Sequence, residues 1–171
     1  MRSPADGRVV GTVCEASPDQ IEEAVAAAAA AAAPLAALPA HRRAAALAHV
    51  SDCIAARAEE LPAVICAENG KPIMWARAEV TRAASTFRWA AEEARRWSGS
   101  LQRLDTDPTG EGRLAVVRRF PRGPVLGISP FNFPLNLVAH KVAPALAVGA
   151  PIVMKPAPKT PLSALLLVVR L

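Results

Sequence analysis

Tyrosine is absent from the 171 residues, and aromatic side chains make up only 4%, three tryptophans and four phenylalanines. Stacking platforms for single-stranded nucleic acid are therefore poorly supplied. Carboxylates are also missing from residues 113–171, a stretch that carries Arg113, Arg118, Arg119, Arg122, Lys141, Lys155, Lys159 and Arg170. Those eight cations give the segment +8. The other 12 of the 20 Lys and Arg share residues 1–112 with all 15 Asp and Glu, which leaves that part at −3. The cations are scattered through apolar sequence rather than clustered with polar partners, so nucleic acid is not the expected ligand. They suit a small anion such as a nucleotide phosphate, or plain surface charge.

Cysteine is scarce. Cys14, Cys53 and Cys66 are an odd number without CxxC spacing, which argues against a disulfide framework or a zinc site. Glycine-rich phosphate loops are lacking as well. There is no GxGxxG or GxxxxGK[ST], and no glycine lies between Gly127 and Gly149, so a conventional Rossmann phosphate loop is excluded there. Long hydrophobic runs are few: residues 24–40 are uncharged but alanine-dominated and broken by Pro34 and Pro39, and 162–169 is too short to cross a bilayer. With no cationic and apolar leader at its start, the chain is expected to be a soluble cytoplasmic protein, with neither membrane nor nucleic acid among its partners.

What is present is a hydrophobic content of 52%, enough for a core, although much of it is alanine. Residues 7–17 alternate enough for an edge strand leading into a turn. Ser17, Pro18 and Gln20 form a capping-box start for a helix, with Asp19, Glu22 and Glu23 on its first turn, and Pro34 is expected to end it at Ala33. Further helices are expected over roughly 40–60 and over 62–69, the latter stopped by Gly70. From Ile73, apolar residues at 76, 80, 83, 87, 90, 94 and 97 recur at helical spacing, up to Gly99. Trp75, Trp89 and Trp97 read as core or interface residues rather than a ligand cage. "DTDPTGEG" (105–112) is turn-rich, and "RLAVVRRF" (113–120) reads as an exposed strand, either a plain surface hairpin or an arm that pairs with another subunit.

From Gly123 the order becomes strand (124–128), loop (129–134), helix (136–148), strand (151–155), loop (156–161) and helix (162 onward). This is a βαβ unit leading into a second crossover helix, so the strands should be parallel. Ligands of such sheets bind beyond the carboxyl ends of the strands. Asn132 and Lys155 stand at those ends. Asn132, in "GISPFNFPL" (127–135), offers two amide donors with Pro130 and Pro134 restricting its loop. It is either an oxyanion donor or an asparagine that satisfies its own loop. Lys155 could reach a ribose or phosphate, or sit solvated. Lys141, beside His140 on the helix, is either half-buried or an ordinary surface lysine.

The stretch "GPVLGISPFNFPLNLVAHKVAPALAVGAPIVMKPAPKTPLSAL" (123–165) resembles the cofactor-binding signature of the NAD(P)-dependent aldehyde dehydrogenase superfamily. "ENGKPIMWARAEV" (68–80) is similar to that family's glutamate–x–glycine–lysine–proline segment, and "ADGRVVGTVCEAS" (5–17) to its N-terminal strand pair. The resemblance implies that Asn132 is the side-chain half of an oxyanion hole. It places Ile128, Ser129, Pro130 and Phe131 along the cofactor cleft, with Ala157 and Pro158 beside them. It gives Lys155 a contact to the adenosine ribose, makes Lys141 part of a proton relay, and assigns 101–122 to an oligomerisation arm. NAD or NADP is the implied cofactor and an aldehyde the implied substrate, oxidised to a carboxylic acid in a homo-oligomer.

The implied fold is α/β: a helical N-terminal segment, then the first βαβ part of an open parallel Rossmann-like sheet with a protruding β arm. Residues 1–171 together would make an incomplete domain. Two departures matter. Where the family often has a ribose-chelating glutamate, three residues after the KP lysine, this chain has Pro158, which weakens a strict NAD preference and leaves NADP open. The family's cysteine nucleophile and general-base glutamate also have no counterpart, since no thiol follows Cys66 and no carboxylate follows Glu111. The expectation is the N-terminal part of an aldehyde dehydrogenase, inactive alone. The alternative is a non-catalytic assembly module that pairs with a full-length homologue.

Overall fold

The computed structural model describes residues 1–169. Six helices and four strands follow one another: α1 (Pro18–Ala37), α2 (Ala40–Ala56), α3 (Glu60–Asn69), α4 (Ile73–Arg96), β1 (Gly99–Arg103), β2 (Leu114–Arg118), β3 (Val125–Ile128), α5 (Asn136–Val148), β4 (Ile152–Lys155) and α6 (Leu162–Val169). The expected continuation of α6 beyond Val169 lies outside the described residues.

Local chemistry accounts for the helix starts and stops. The Ser17 hydroxyl accepts from the Gln20 amide at 3.3 Å and the Gln20 side chain accepts from the Ser17 N–H at 2.9 Å, the reciprocal pair that opens α1. Gly70 and Gly149 close α3 and α5 in left-handed conformations, φ 74° and 86°, which glycine adopts without steric cost. Pro34, expected to end α1, lies inside it. α1 buries only Ala28, so the carbonyl that Pro34 leaves without a partner belongs to an exposed turn where water can satisfy it.

The N-terminal strand is also corrected. Residues 1–17 make a single antiparallel bridge, Arg2 to Val9. An Asp6-Gly7 turn, with Gly7 at φ 74°, folds this segment back on its own first residues. Its main-chain groups thus bond to Met1 and Ser3 instead of offering a strand to a sheet.

The hydrophobic core lies where α4 packs on α2 and α5. Phe87, Leu47, Ile54, Ile65 and Val138 are at most 2% exposed, and full burial of each stabilises by about 1.5–3 kcal/mol. The apolar stripe of α4 is buried from Ala76 to Ala94, but its two ends, Ile73 and Trp97, emerge into solvent. Trp75, Trp89 and Trp97 are 59%, 67% and 42% exposed, so none belongs to the core of this chain. Among the described residues, no single helix is long and apolar enough to cross a membrane.

β1 and β2 form an antiparallel hairpin, Gly99 opposite Arg118 and Arg103 opposite Leu114. β1 went unrecognised in the sequence because its five exposed residues show no apolar alternation. Only glycine fits at position 99, where an added Cβ would stand 2.0 Å from the Val117 carbonyl oxygen. β3 and β4 pair in parallel, Val125 with Ile152 through Ile128 with Lys155, with α5 as the crossover. The βαβ expectation is met almost residue for residue.

Candidate functional site

The parallel register puts Ile128 and Lys155, the last residues of β3 and β4, side by side. The Ser129 N–H then donates to the Lys155 carbonyl at 3.2 Å, which ties the two outgoing loops together at their roots. The 129–135 and 156–161 loops therefore leave the same edge of the sheet. A cleft of about 430 Å³ opens there, lined by Phe131, Pro158, Lys159 and Thr160 together with Arg2, Glu68 and Asn69.

Within this edge, Ile128, Pro130, Phe131, Asn132, Lys155 and Pro158 are exposed, whereas Ser129 and Ala157 are buried. The Asn132 amide bonds to no protein group among the described residues, so both its donors are available. The Ser129 hydroxyl, 6% exposed, likewise has no partner. The Lys159 ammonium lies 5.4 Å from the Phe131 ring centroid. Lys141 is half-buried on α5 and its ammonium donates to the Leu137 carbonyl of its own helix at 3.2 Å.

Four polar residues that sequence reasoning assigned no role hold this edge in place. Neither α5 nor its N-terminal neighbour Leu135 carries a capping side chain. Instead the Glu79 carboxylate, from the middle of α4, accepts the Leu135 N–H at 2.9 Å and the Asn136 N–H at 3.1 Å. Its other oxygen pairs with the Lys71 ammonium. Lys71 also donates to the Asn132 carbonyl at 2.8 Å and lies 4.0 Å from the Phe133 ring centroid. Asn69 donates to the Phe131 carbonyl at 2.8 Å, where the Thr160 hydroxyl makes a longer second contact at 3.4 Å.

Glu68 does for α6 what Glu79 does for α5. It accepts from the Leu162 N–H at 2.7 Å, the Ser163 N–H at 3.0 Å and the Ser163 hydroxyl at 2.5 Å. Negative charge at a helix N-terminus is favoured by the unpaired N–H groups and the helix dipole. Burial nonetheless outweighs these bonds and raises the Glu68 pKa above the ordinary glutamate value. The segment 68–79 thus grips both strand-end loops, through two buried carboxylates, one amide and one ammonium. One signal was visible in the sequence: Glu79 falls on the apolar face of α4, between Ala76 and Val80.

A dinucleotide's demands can be set against these residues. The edge offers exposed ammonium groups at Lys155 and Lys159 and two free amide donors at Asn132. Its nearby carboxylate, Glu68, is buried and engaged with α6. The donor set fits an anionic, hydroxyl-bearing ligand.

The aldehyde dehydrogenase family model matches residues 1–171. Aspartate-semialdehyde dehydrogenase 1 of Pseudomonas canavaninivorans is 39% identical over 166 residues, which cover 97% of this chain and 35% of that protein. The 3,6-anhydro-alpha-L-galactose dehydrogenase of Streptomyces coelicolor is 41% identical over 165 residues, 96% of this chain and 32% of that one. Among solved structures, aldehyde dehydrogenase 21 from Physcomitrella patens, in complex with the reaction product succinate, superposes with a TM-score of 0.91 at 49% identity. The match covers 94% of this chain and 34% of that one. The NADP-dependent glyceraldehyde-3-phosphate dehydrogenase from Bacillus halodurans, complexed with NADP, gives a TM-score of 0.93 at 36% identity, over 98% of this chain and 36% of that one. The chain thus spans about a third of the length of these relatives. A match along its entire length shows that the chain belongs to the aldehyde dehydrogenase family.

Proposed function

We propose that this chain is the N-terminal part of an NAD(P)-dependent aldehyde dehydrogenase, supplying one wall of the cofactor cleft and one oxyanion donor. The observation that carries this reading is the meeting of the Asn132 and Lys155 loops at one edge of a parallel strand pair with no glycine-rich phosphate loop. Ile128, Ser129, Pro130 and Phe131 would line the cleft. Lys155 would hold the adenosine ribose, with Ala157 and Pro158 forming the adjoining loop. Pro158 presents no carboxylate to repel a 2′-phosphate, so NADP is accommodated as well as NAD.

When bound, the nicotinamide supplies a hydride acceptor. Asn132 would direct its amide donors at the aldehyde oxygen, where a single such donor is worth about 3–4 kcal/mol as charge develops. Lys141 would hold or pass a proton from the second turn of α5. Cys66, two residues before Glu68, is half-buried with burial holding it toward the neutral thiol, and residues 112–171 contain neither thiol nor carboxylate. The 171-residue chain by itself therefore turns over no aldehyde, because the reaction needs a thiolate and a base. The β1–β2 hairpin and the segment just after it expose Leu101, Val116 and Phe120 at about 70% each, which supports a role as an oligomerisation arm.

Calorimetric titration of the chain with NAD⁺ and NADP⁺ tests the reading. Saturable binding that is lost in Lys155→Ala and kept in Asn132→Ala is expected. No binding of either nucleotide by the folded chain, or binding indifferent to Lys155, would overturn it. Aldehyde-dependent NAD(P)H formation by the pure chain would overturn its inactivity. Mixing with a full-length homologue should give mixed oligomers by native mass measurement, and Val116→Asp should abolish them.

A further inference from the structure

We propose that Lys71 and Glu79 are positioning residues for Asn132, acting through its main chain; the functional consequence rests on the reading above. A free amide on an exposed loop cannot direct its donors unless the backbone beneath it is fixed. Pro130 and Pro134 restrict φ on either side of Asn132, but neither can donate a backbone hydrogen bond to hold the loop down. The Lys71 ammonium supplies that bond at the Asn132 carbonyl, 2.8 Å away. It leaves the amide side chain of the same residue free.

The grip is rigid because Lys71 is itself confined. Its side chain is 10% exposed, paired with a fully buried Glu79 carboxylate and seated over the Phe133 ring. Glu79 in turn holds the Leu135 and Asn136 N–H groups. One ion pair therefore fixes the Asn132 carbonyl and the start of α5, four residues further on, in a single frame. An ammonium with three donors spans these acceptors in a way that no uncharged side chain of that length can. Bonds to charged groups are also the stronger class.

The test uses the chain itself, followed by backbone ¹⁵N relaxation. The double variant Lys71→Met with Glu79→Gln keeps an acceptor for the α5 N–H groups and leaves no unpaired buried charge. Order parameters at residues 131–133 should fall from about 0.85 to below about 0.6, while those of α4 and α5 stay unchanged. Lys71→Arg, which restores a cationic donor, should retain the rigid values. Rigid values at 131–133 in the double variant would overturn the proposal. So would a loss spread evenly through α5, which would make the pair a general brace. A measurement on the unaltered chain covers the case of a variant that does not fold. A through-bond coupling from the Lys71 ammonium nitrogen to the Asn132 carbonyl carbon is expected, and its absence would overturn the proposal. None of these readouts involves cofactor or aldehyde, so the positioning role and the proposed activity fail separately.

Discussion

Replacing Glu79 by alanine removes the acceptor of two backbone N–H groups and the partner of a nearly buried ammonium in one step. Each buried donor left unpaired costs about 1–3 kcal/mol. Breaking a buried ion pair by deleting one partner costs about 3–5 kcal/mol, because the other charge stays behind. Lys71 is 10% exposed and can partly rehydrate, and the terms overlap, so about 4 kcal/mol in total is expected. Alanine is the better helix former, which returns under ~0.5 kcal/mol to α4. With a urea slope of about 2 kcal/mol/M, the unfolding midpoint should fall by about 2 M. Glu79→Gln retains an acceptor of similar volume for the Leu135 and Asn136 N–H groups and loses only the charge, so its midpoint should fall by about half as much. Glu59, exposed and paired with the exposed Arg77, serves as the control, and Glu59→Ala should not move the midpoint measurably. A Glu79→Ala midpoint within ~0.3 M of the parent would refute the assignment of Glu79 as the cap of α5. Equal losses in the alanine and glutamine variants would shift the whole effect onto the charge.

Three other expectations follow from the geometry. Gly149→Ala puts a Cβ on a residue at φ 86°, 3.1 Å from the Leu35 carbonyl oxygen; thermal unfolding should report a loss of about 1–2 kcal/mol, and an unchanged midpoint would contradict it. Burial raises the Glu68 pKa in the folded chain, so folding favours its protonated form: that stability is complete below the ordinary glutamate value and is lost as pH rises through the raised one. The stability of Glu68→Gln relative to the parent should therefore increase with pH across that window, and a flat or falling difference in pH-dependent urea titrations would reverse the assignment. The Cys66 thiol pKa is raised by burial against the opposing pull of Arg77 and Lys71, while Cys14 is exposed. Ellman's reagent should modify Cys14 well before Cys66, as followed by peptide mass mapping.

Much of this architecture is visible as periodicity and punctuation. The helical stripe from Ala76 to Ala94, the Ser17–Gln20 box, and the stops at Gly70 and Gly149 need only neighbours in sequence, and they are found where expected. Pro34 misleads because the carbonyl it strands lies on an exposed turn of α1, where solvent can satisfy it. The N-terminal strand misleads because alternation alone does not name a pairing partner, and the Asp6-Gly7 turn supplied a nearer one. At the candidate site, Asn132 and Lys155 are legible from strand ends and motif. Glu68, Asn69, Lys71 and Glu79 carry no local signal of what they hold, because their partners lie 56 to 95 residues away.

Most helix positions, the parallel strand pair and the family are legible in the sequence, since these rest on spacing, glycine chemistry and a motif that spans 123–165. The sequence also determined that residues 113–171 bear only positive charge. How the loop that carries Asn132 is held depends on contacts made across the folded chain. A carboxylate and an ammonium on α4 and the turn before it fix that loop through its main chain, and backbone N–H and C=O groups look alike at every position of a sequence. Which buried side chain satisfies which of them emerges only when the helices pack.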